Sequence, residues 1–420
     1  MRLDLSAIGI DHSAIGKLAI LAAVALAIAA CSPGVTASPG PSAVRPSGGV
    51  TTAEAPATPG APADAARLTA GWYHTCALIN AGIKCWGHNG AGQLGDGGPI
   101  FAPDCGNECF GDILESPPEF GPYDVVGLDE GVTMVDAGWY QTCAVTSGGA
   151  ARCWGYNEDA QLGTGSVEWS SRPLDVVGLG SGVVRTSTGY STSCALRAAG
   201  EVWCWGYGVS GEDTVAQPVA MGDFGGKVVA IDVGNVMGCA LTDAHAVKCW
   251  DTNGTDTPHA LEGVDAGVLQ ISVGDLHACA VMESGGVRCW GGNFDGELGD
   301  GTTEDSATPV DVAGITDAIA VAAGGIHSCA VTSGGGVKCW GANYYGSLGD
   351  GTTDDSTVPV DVAGIESGAL DVATGAEHSC ALLGDGTIKC WGSNFAGQLG
   401  VSGLGLEQSE TPVVVDLDPR

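Results

Sequence analysis

Seven times along this chain a cysteine is followed, nine or ten residues later, by a second cysteine. The pairs are Cys76 with Cys85, Cys143 with Cys153, Cys194 with Cys204, Cys239 with Cys249, Cys279 with Cys289, Cys329 with Cys339 and Cys380 with Cys390. A tryptophan stands directly after every second cysteine, from Trp86 to Trp391. Successive first cysteines are 40 to 67 residues apart. A unit of this length cannot bury an apolar face alone and must stack on its siblings. The repeat therefore predicts one closed or stacked object, where 420 residues would otherwise suggest two or three domains.

The interior of the unit reads as strands. In the fifth copy the candidates are Leu269–Val273, His277–Val281, Val287–Trp290 and Pro309–Val312. In the sixth they are Ala318–Ala322, His327–Val331, Val337–Trp340 and Pro359–Val362, with turn residues between them. Four short strands in a repeat of 40 to 50 residues suit a propeller blade. Cysteines ten residues apart across a three-residue turn face each other in an antiparallel hairpin. The separation of Cα atoms there, about 4.5 or 5.5 Å, lies within reach of a disulfide. The first copy is one residue shorter, with Asn80-Ala81 at its tip, and takes a two-residue turn. Adjacent cysteine and tryptophan project to opposite sheet faces, and in a propeller both faces pack on neighbouring blades.

After the tryptophan come WGHNGAGQLGDG (Trp86–Gly97), WGYNEDAQLGTG (Trp154–Gly165), WGGNFDGELGDG (Trp290–Gly301), WGANYYGSLGDG (Trp340–Gly351) and WGSNFAGQLG (Trp391–Gly400). These resemble the regulator-of-chromosome-condensation repeat, over about 350 residues. The resemblance implies an all-β, seven-bladed β-propeller. The third and fourth copies, Trp205–Asp213 and Trp250–Asp256, lack the Gln-Leu-Gly turn, so those blades are expected to be trimmed. Paired cysteines are an addition to the family's usual strand pattern and suit export. Thr411–Leu417 is expected to complete the last blade or to pair near Arg67–Ala70.

Ahead of the repeats, Leu18–Ala30 is an apolar run of 13 residues, too short to span a membrane and suited to a signal-peptide core. It ends in Ile28-Ala29-Ala30-Cys31, which resembles the bacterial lipoprotein box and implies lipidation of Cys31. The alternative is an ordinary cleaved signal with an incidental cysteine. Residues 31–66 carry seven prolines between Ser32 and Ala66 among small side chains, a composition expected to stay a disordered linker. The organisation expected is a signal peptide at 1–30, a linker at 31–66 and a propeller at 67–420, with an insertion at 98–123 in the first blade. Localisation is then the cell envelope, lipid-anchored at the outer membrane or cell surface. Seventeen cysteines fit an oxidising compartment, with Cys105 and Cys109 as an eighth pair inside the insertion.

Forty-nine acids against 15 bases give a formal charge of −34, which repels phosphate backbones and argues against nucleic-acid binding. His74, His277, His327 and His378 each stand two residues before a cysteine, a pairing that invites a zinc reading. Because every cysteine has a hairpin partner and each histidine sits on its own blade, structural hydrogen bonding is expected and no metal or cofactor. The acidic turns Asp300–Asp305 and Asp350–Asp355 lack the ligand alternation of calcium loops and read as solvated. Neither a nucleophile elbow, a phosphate-cradling loop nor a zinc-protease helix motif occurs, so a non-enzyme is expected.

Aromatic residues distinguish the copies. The turn after the first strand carries Trp72-Tyr73, Trp139-Tyr140 and Tyr190 in the first three blades and no aromatic in the other four. The turn after the third strand adds Tyr156, Tyr207, Phe294, Tyr344, Tyr345 and Phe395. Both turns emerge on one face of an antiparallel blade. Aromatics with polar tips are enriched in interfaces, and these are the candidate binding residues, set against local packing on the next blade. The expectation is a monomeric, non-catalytic binding module for a protein partner; carbohydrate or cell-wall binding, or an enzyme with a site in the channel, are the alternatives. Nucleotide exchange, known in the family, is disfavoured by export.

Overall fold

The computed structural model describes residues 68–100, 121–209, 214–252, 257–401 and 407–417. Cys31, the linker and the pair Cys105 and Cys109 lie outside the described residues. Within them, 28 strands form seven four-stranded antiparallel sheets, each built from four consecutive strands. This is the seven-bladed propeller, with one repeat per blade.

The sixth blade shows how sequence becomes sheet. Its strands are Ala318–Ala323, His327–Thr332, Val337–Gly341 and Ser356–Asp361. The fourth begins three residues before the expected Pro359, as the fifth blade's begins at Ser306 rather than Pro309. The register slips by two residues between Cys339 and Gly341, so that Ser356 pairs with Gly341, whose φ of 105° favours glycine. Pro359 sits on the sheet's outer edge, where a missing N–H costs no ladder bond. The third and fourth blades keep four strands, the fourth blade's last reduced to His259–Ala260.

In every blade the two cysteines oppose each other across the central hairpin and are joined, with Cα atoms 4.0–4.1 Å apart. All seven expected bridges are present: Cys76 to Cys85, Cys143 to Cys153, Cys194 to Cys204, Cys239 to Cys249, Cys279 to Cys289, Cys329 to Cys339 and Cys380 to Cys390. The Cα separation is shorter than the 4.5 or 5.5 Å expected from hairpin geometry, because the bridge draws the two strands together at a non-hydrogen-bonded site. The shorter first hairpin turns on Asn80 and Ala81, both at positive φ, as a two-residue turn requires.

Disulfide and tryptophan then serve opposite junctions. Each bridge packs in one cluster with the next blade's tryptophan. Cys76 and Cys85 meet Trp154, Cys143 and Cys153 meet Trp205, and Cys194 and Cys204 meet Trp250. Cys239 and Cys249 meet Trp290, Cys279 and Cys289 meet Trp340, and Cys329 and Cys339 meet Trp391. Cys380 and Cys390 meet Trp86 in the same way, so the last junction is built like the others. The final strand, Gln408–Val414, completes the seventh blade, and Leu68–Ala70 is the first blade's own inner strand. Ring closure therefore rests on side-chain packing and hydrogen bonds between two complete blades.

Two polar devices tie blades together. The first is a latch. The residue before each first cysteine, where it bears a hydroxyl, donates to the carbonyl of the preceding blade's third turn, and the tryptophan Nε1–H donates to that same oxygen. Thr142 and Trp154 share the Gln93 oxygen, Ser193 and Trp205 that of Gln161, Ser328 and Trp340 that of Glu297. Ser379 and Trp391 share that of Ser347, and Thr75 and Trp86 that of Gln398. The fourth and fifth blades have Gly238 and Ala278 there and no latch, matching the turns missing one blade earlier. The second device lies on the inner strand. Thr69, Asp136, Ser187, Asp232 and Ser272 each accept the backbone N–H of the next blade's inner strand, from Ala137, Thr188, Val233, Val273 and Ala323. Blades six and seven carry Ala322 and Ala373 at that position. Every junction thus has at least one of the two ties.

Candidate functional site: the aromatic mouth of the channel

The inner strand of each blade ends in a glycine: Gly71, Gly138, Gly189, Gly234, Gly274, Gly324 and Gly375. Each lies against the carbonyl of the next, so closely that an added Cβ would fall 1.8–2.6 Å from that oxygen, and Gly375 returns to Gly71. Glycine is required at all seven because the chains converge. The residue after each glycine rides on this ring. In order these are Trp72, Trp139, Tyr190, Asn235, Asp275, Gly325 and Ala376, a mouth aromatic on one side and small or acidic on the other.

The aromatics associate. Ring centroids of Trp72 and Trp139 lie 3.6 Å apart, and those of Trp139 and Tyr190 lie 4.3 Å apart. Trp139 crosses from the second blade to the fifth, where its Nε1–H donates to Asp275 Oδ1 at 2.7 Å. Outside this trio, Tyr73 and Tyr140 form a second row with centroids 6.3 Å apart. Tyr140 also touches Tyr156, which packs on Trp169 at 4.8 Å. Trp72, Trp139, Tyr73, Tyr156 and Tyr190 are half-buried, whereas Tyr140 is only 8% exposed and supports the layer from within. The other candidates are scattered. Tyr207, at the end of blade three's third strand, is 43% exposed, and Phe294 is 84% exposed on blade five. Tyr344 donates to Asp295, and Tyr345 meets Phe395 edge-on at 5.3 Å. The structure therefore gathers Trp72, Tyr73, Trp139, Tyr140, Tyr156 and Tyr190 into one surface, adds Trp169 and His88 to it, and leaves Tyr207, Phe294, Tyr344, Tyr345 and Phe395 around its edge.

Asp275, Trp169 and His88 were not among the sequence candidates. Asp275 occupies the repeat position of Trp72, Trp139 and Tyr190, so repeat register alone points it at the same mouth. Trp169 lies in an irregular connection where the copies give no guide. Burial drives the Asp275 carboxyl up to about 8, opposed by the Trp139 hydrogen bond. Burial likewise raises Glu377, and raises Tyr73 and Tyr190 with help from nearby carboxylates.

The histidines serve the frame. His74, His277, His327 and His378 donate through Nε2 to Thr142, Ser328, Ser379 and Thr75 of the next blade at 2.7–2.9 Å. The hydroxyls already donate to carbonyls, which assigns the proton to Nε2. Burial lowers all four, to about 3 or 4, so they stay neutral. The fourteen described cysteines are in disulfides, and among the described residues no three His, Cys, Asp or Glu side chains are grouped to hold a metal ion. The acidic turns cap themselves: Asp300 accepts from Thr302, and Asp305 from the Asn293 amide, while Asn293 Nδ2 donates to the Thr302 and Glu304 carbonyls. The turn at Asp350–Asp355 repeats this pattern.

A family model for the RCC1-like domain matches residues 50–420. The chain belongs to this family. Among curated RCC1-like relatives, the ultraviolet-B receptor UVR8 of Arabidopsis thaliana is 32% identical over 155 residues, covering 36% of this chain and 31% of that protein. The mitochondrial RCC1 domain-containing protein RUG3 of the same plant is 29% identical over 145 residues, or 34% and 28% of the two chains. The matches thus span about a third of those relatives. Among solved structures, Prp20p of Saccharomyces cerevisiae superposes with a TM-score of 0.68 at 20% identity, over 80% of this chain and 86% of that one. Human WBSCR16 gives 0.62 at 22% identity, over 75% and 86%. At such identities the structural likeness speaks for the propeller fold alone.

Proposed function

We propose that this RCC1-like propeller is a non-catalytic binding module that takes a protein partner on the face around the channel mouth. The observation that carries this is the stacked trio Trp72, Trp139 and Tyr190. Rings held in place by one another lose little freedom on binding and bury much apolar area, the properties of interface hot spots. Their polar tips point to a wet, specific contact more than to a lipid surface. Family likeness supports the reading: the yeast Prp20p structure is described with its binding to Gsp1p and histones, and a second describes Kap60 bound to the same protein. The display we propose is a lipid anchor at Cys31 with residues 31–66 as a linker, in the cell envelope, supported by the apolar run, the lipobox-like Ile28–Cys31 and the seven structural disulfides.

Affinity capture from envelope extracts tests the reading, with a Trp72→Ala/Trp139→Ala/Tyr190→Ala variant as control. The wild type is expected to retain a protein that the folded variant loses. Retention of both chains by isolated wall glycans, with no protein lost, would replace it with a carbohydrate-binding function.

A further inference from the structure

The channel mouth is asymmetric in charge as well as shape. Opposite the three stacked rings stands Asp275, whose Oδ1 accepts the Trp139 indole while its Oδ2 receives no donor among the described residues. Asp275 is half-buried, and a Cβ at Gly325 would come to 3.4 Å from Oδ2. The rim continues this sign. Glu158 and Asp159 lie beside Tyr190 and Tyr156, and Glu377 beside Tyr73 and Tyr345. The charged groups acting on the mouth's tyrosines are carboxylates, with no lysine or arginine among them. A carboxylate acceptor beside the electron-rich faces of three rings, on a chain of formal charge −34, is complementary to a cation carried on an apolar stem.

We infer that the mouth receives a lysine or arginine side chain of the protein partner, its charged head at the Asp275 carboxylate and its stem against Trp72, Trp139 and Tyr190. This rests on the protein-binding reading and narrows it. Ring faces attract the cation, Asp275 supplies the directional acceptor, and the acidic rim raises the encounter rate of basic surfaces. In the free protein burial keeps Asp275 protonated up to about pH 8; a cation docked at Oδ2 favours the ionised form, so its binding releases a proton that a neutral loop would leave in place.

The test titrates the full chain at low salt with three capped pentapeptides that differ only in a central arginine, lysine or citrulline, followed by calorimetry. Arginine and lysine peptides are expected to saturate the protein, with citrulline at least about tenfold weaker. Asp275→Asn keeps an acceptor for the Trp139 indole and so preserves the stack; it is expected to erase that tenfold difference. Equal binding of citrulline, an unchanged preference in Asp275→Asn, or no saturation by arginine up to about 10 mM would overturn the inference. If the captured partner is lost with Trp72→Ala/Trp139→Ala/Tyr190→Ala but held by Asp275→Asn, this inference fails and the binding face stands. If alanine at the three aromatics leaves capture unchanged, the face itself fails.

Discussion

Among single residues, the buried acids and histidines set opposite pH limbs for stability. Asp275 is raised to about 8 and Asp136 to about 7, in both cases chiefly by burial. Each holds a proton in the native state that the unfolded chain releases above about 4, so its contribution falls as pH rises toward the folded value. His74, His277, His327 and His378 are lowered from 6.5 to about 3 or 4, so the unfolded chain takes up protons first and stability falls as pH drops below 6.5. Between about 4 and 6.5 the two sets oppose each other; above 6.5 the acids act alone. Thermal unfolding is therefore expected to show a falling Tm from about pH 6.5 to about pH 8, with a shallower fall in Asp275→Asn. A flat profile, or one in which Asp275→Asn changes nothing, contradicts the assignment. None of these shifts was legible in the sequence, because acids are common throughout this chain and burial depends on which blade faces which.

For the blade as an element, most was legible. The cysteine spacing, the following tryptophan and the Gln-Leu-Gly turn specified hairpin, junction and third turn, since each is a local pattern of alternation and tight turns. The latch was not legible, because it joins a hydroxyl on one blade to a carbonyl some thirty residues back on another, as Ser328 to Glu297. In retrospect its parts are lost together: the third and fourth copies lack the turn, and Gly238 and Ala278 lack the hydroxyl one copy later. The ring around the fourth blade therefore leans on Asp232, which accepts from Ser187 of the third blade and from the Val273 N–H of the fifth. Replacing it by alanine leaves a buried N–H without its acceptor, at a cost of about 1–3 kcal/mol. Native-state hydrogen exchange of Asp232→Ala should show lost protection in Met237–Thr242 with little change in His327–Thr332. Uniform loss across all blades would contradict this division of labour.

Across the whole molecule, seven junctions that share the disulfide–tryptophan packing produce a surface that is not sevenfold. The glycine ring makes every first turn converge on one mouth, and the side chains placed on it differ: aromatic on blades one to three, acidic at Asp275, small at Gly325 and Ala376. The sequence separated these blades by their turns, and the structure supplies what periodicity could not, the contact of Trp139 with Asp275 across 136 residues. A rigid frame with one distinctive face suits recognition, and a closed ring needs no conformational change to present it. The most direct test is a hydrogen-exchange footprint of the full chain with and without its captured partner. Protection is expected in the amides of the turns at Trp72–Tyr73, Trp139–Tyr140 and Tyr190, with the blades' outer strands unchanged. Protection confined to the insertion at 98–123, or to the outer strands, would contradict a binding site at the aromatic mouth.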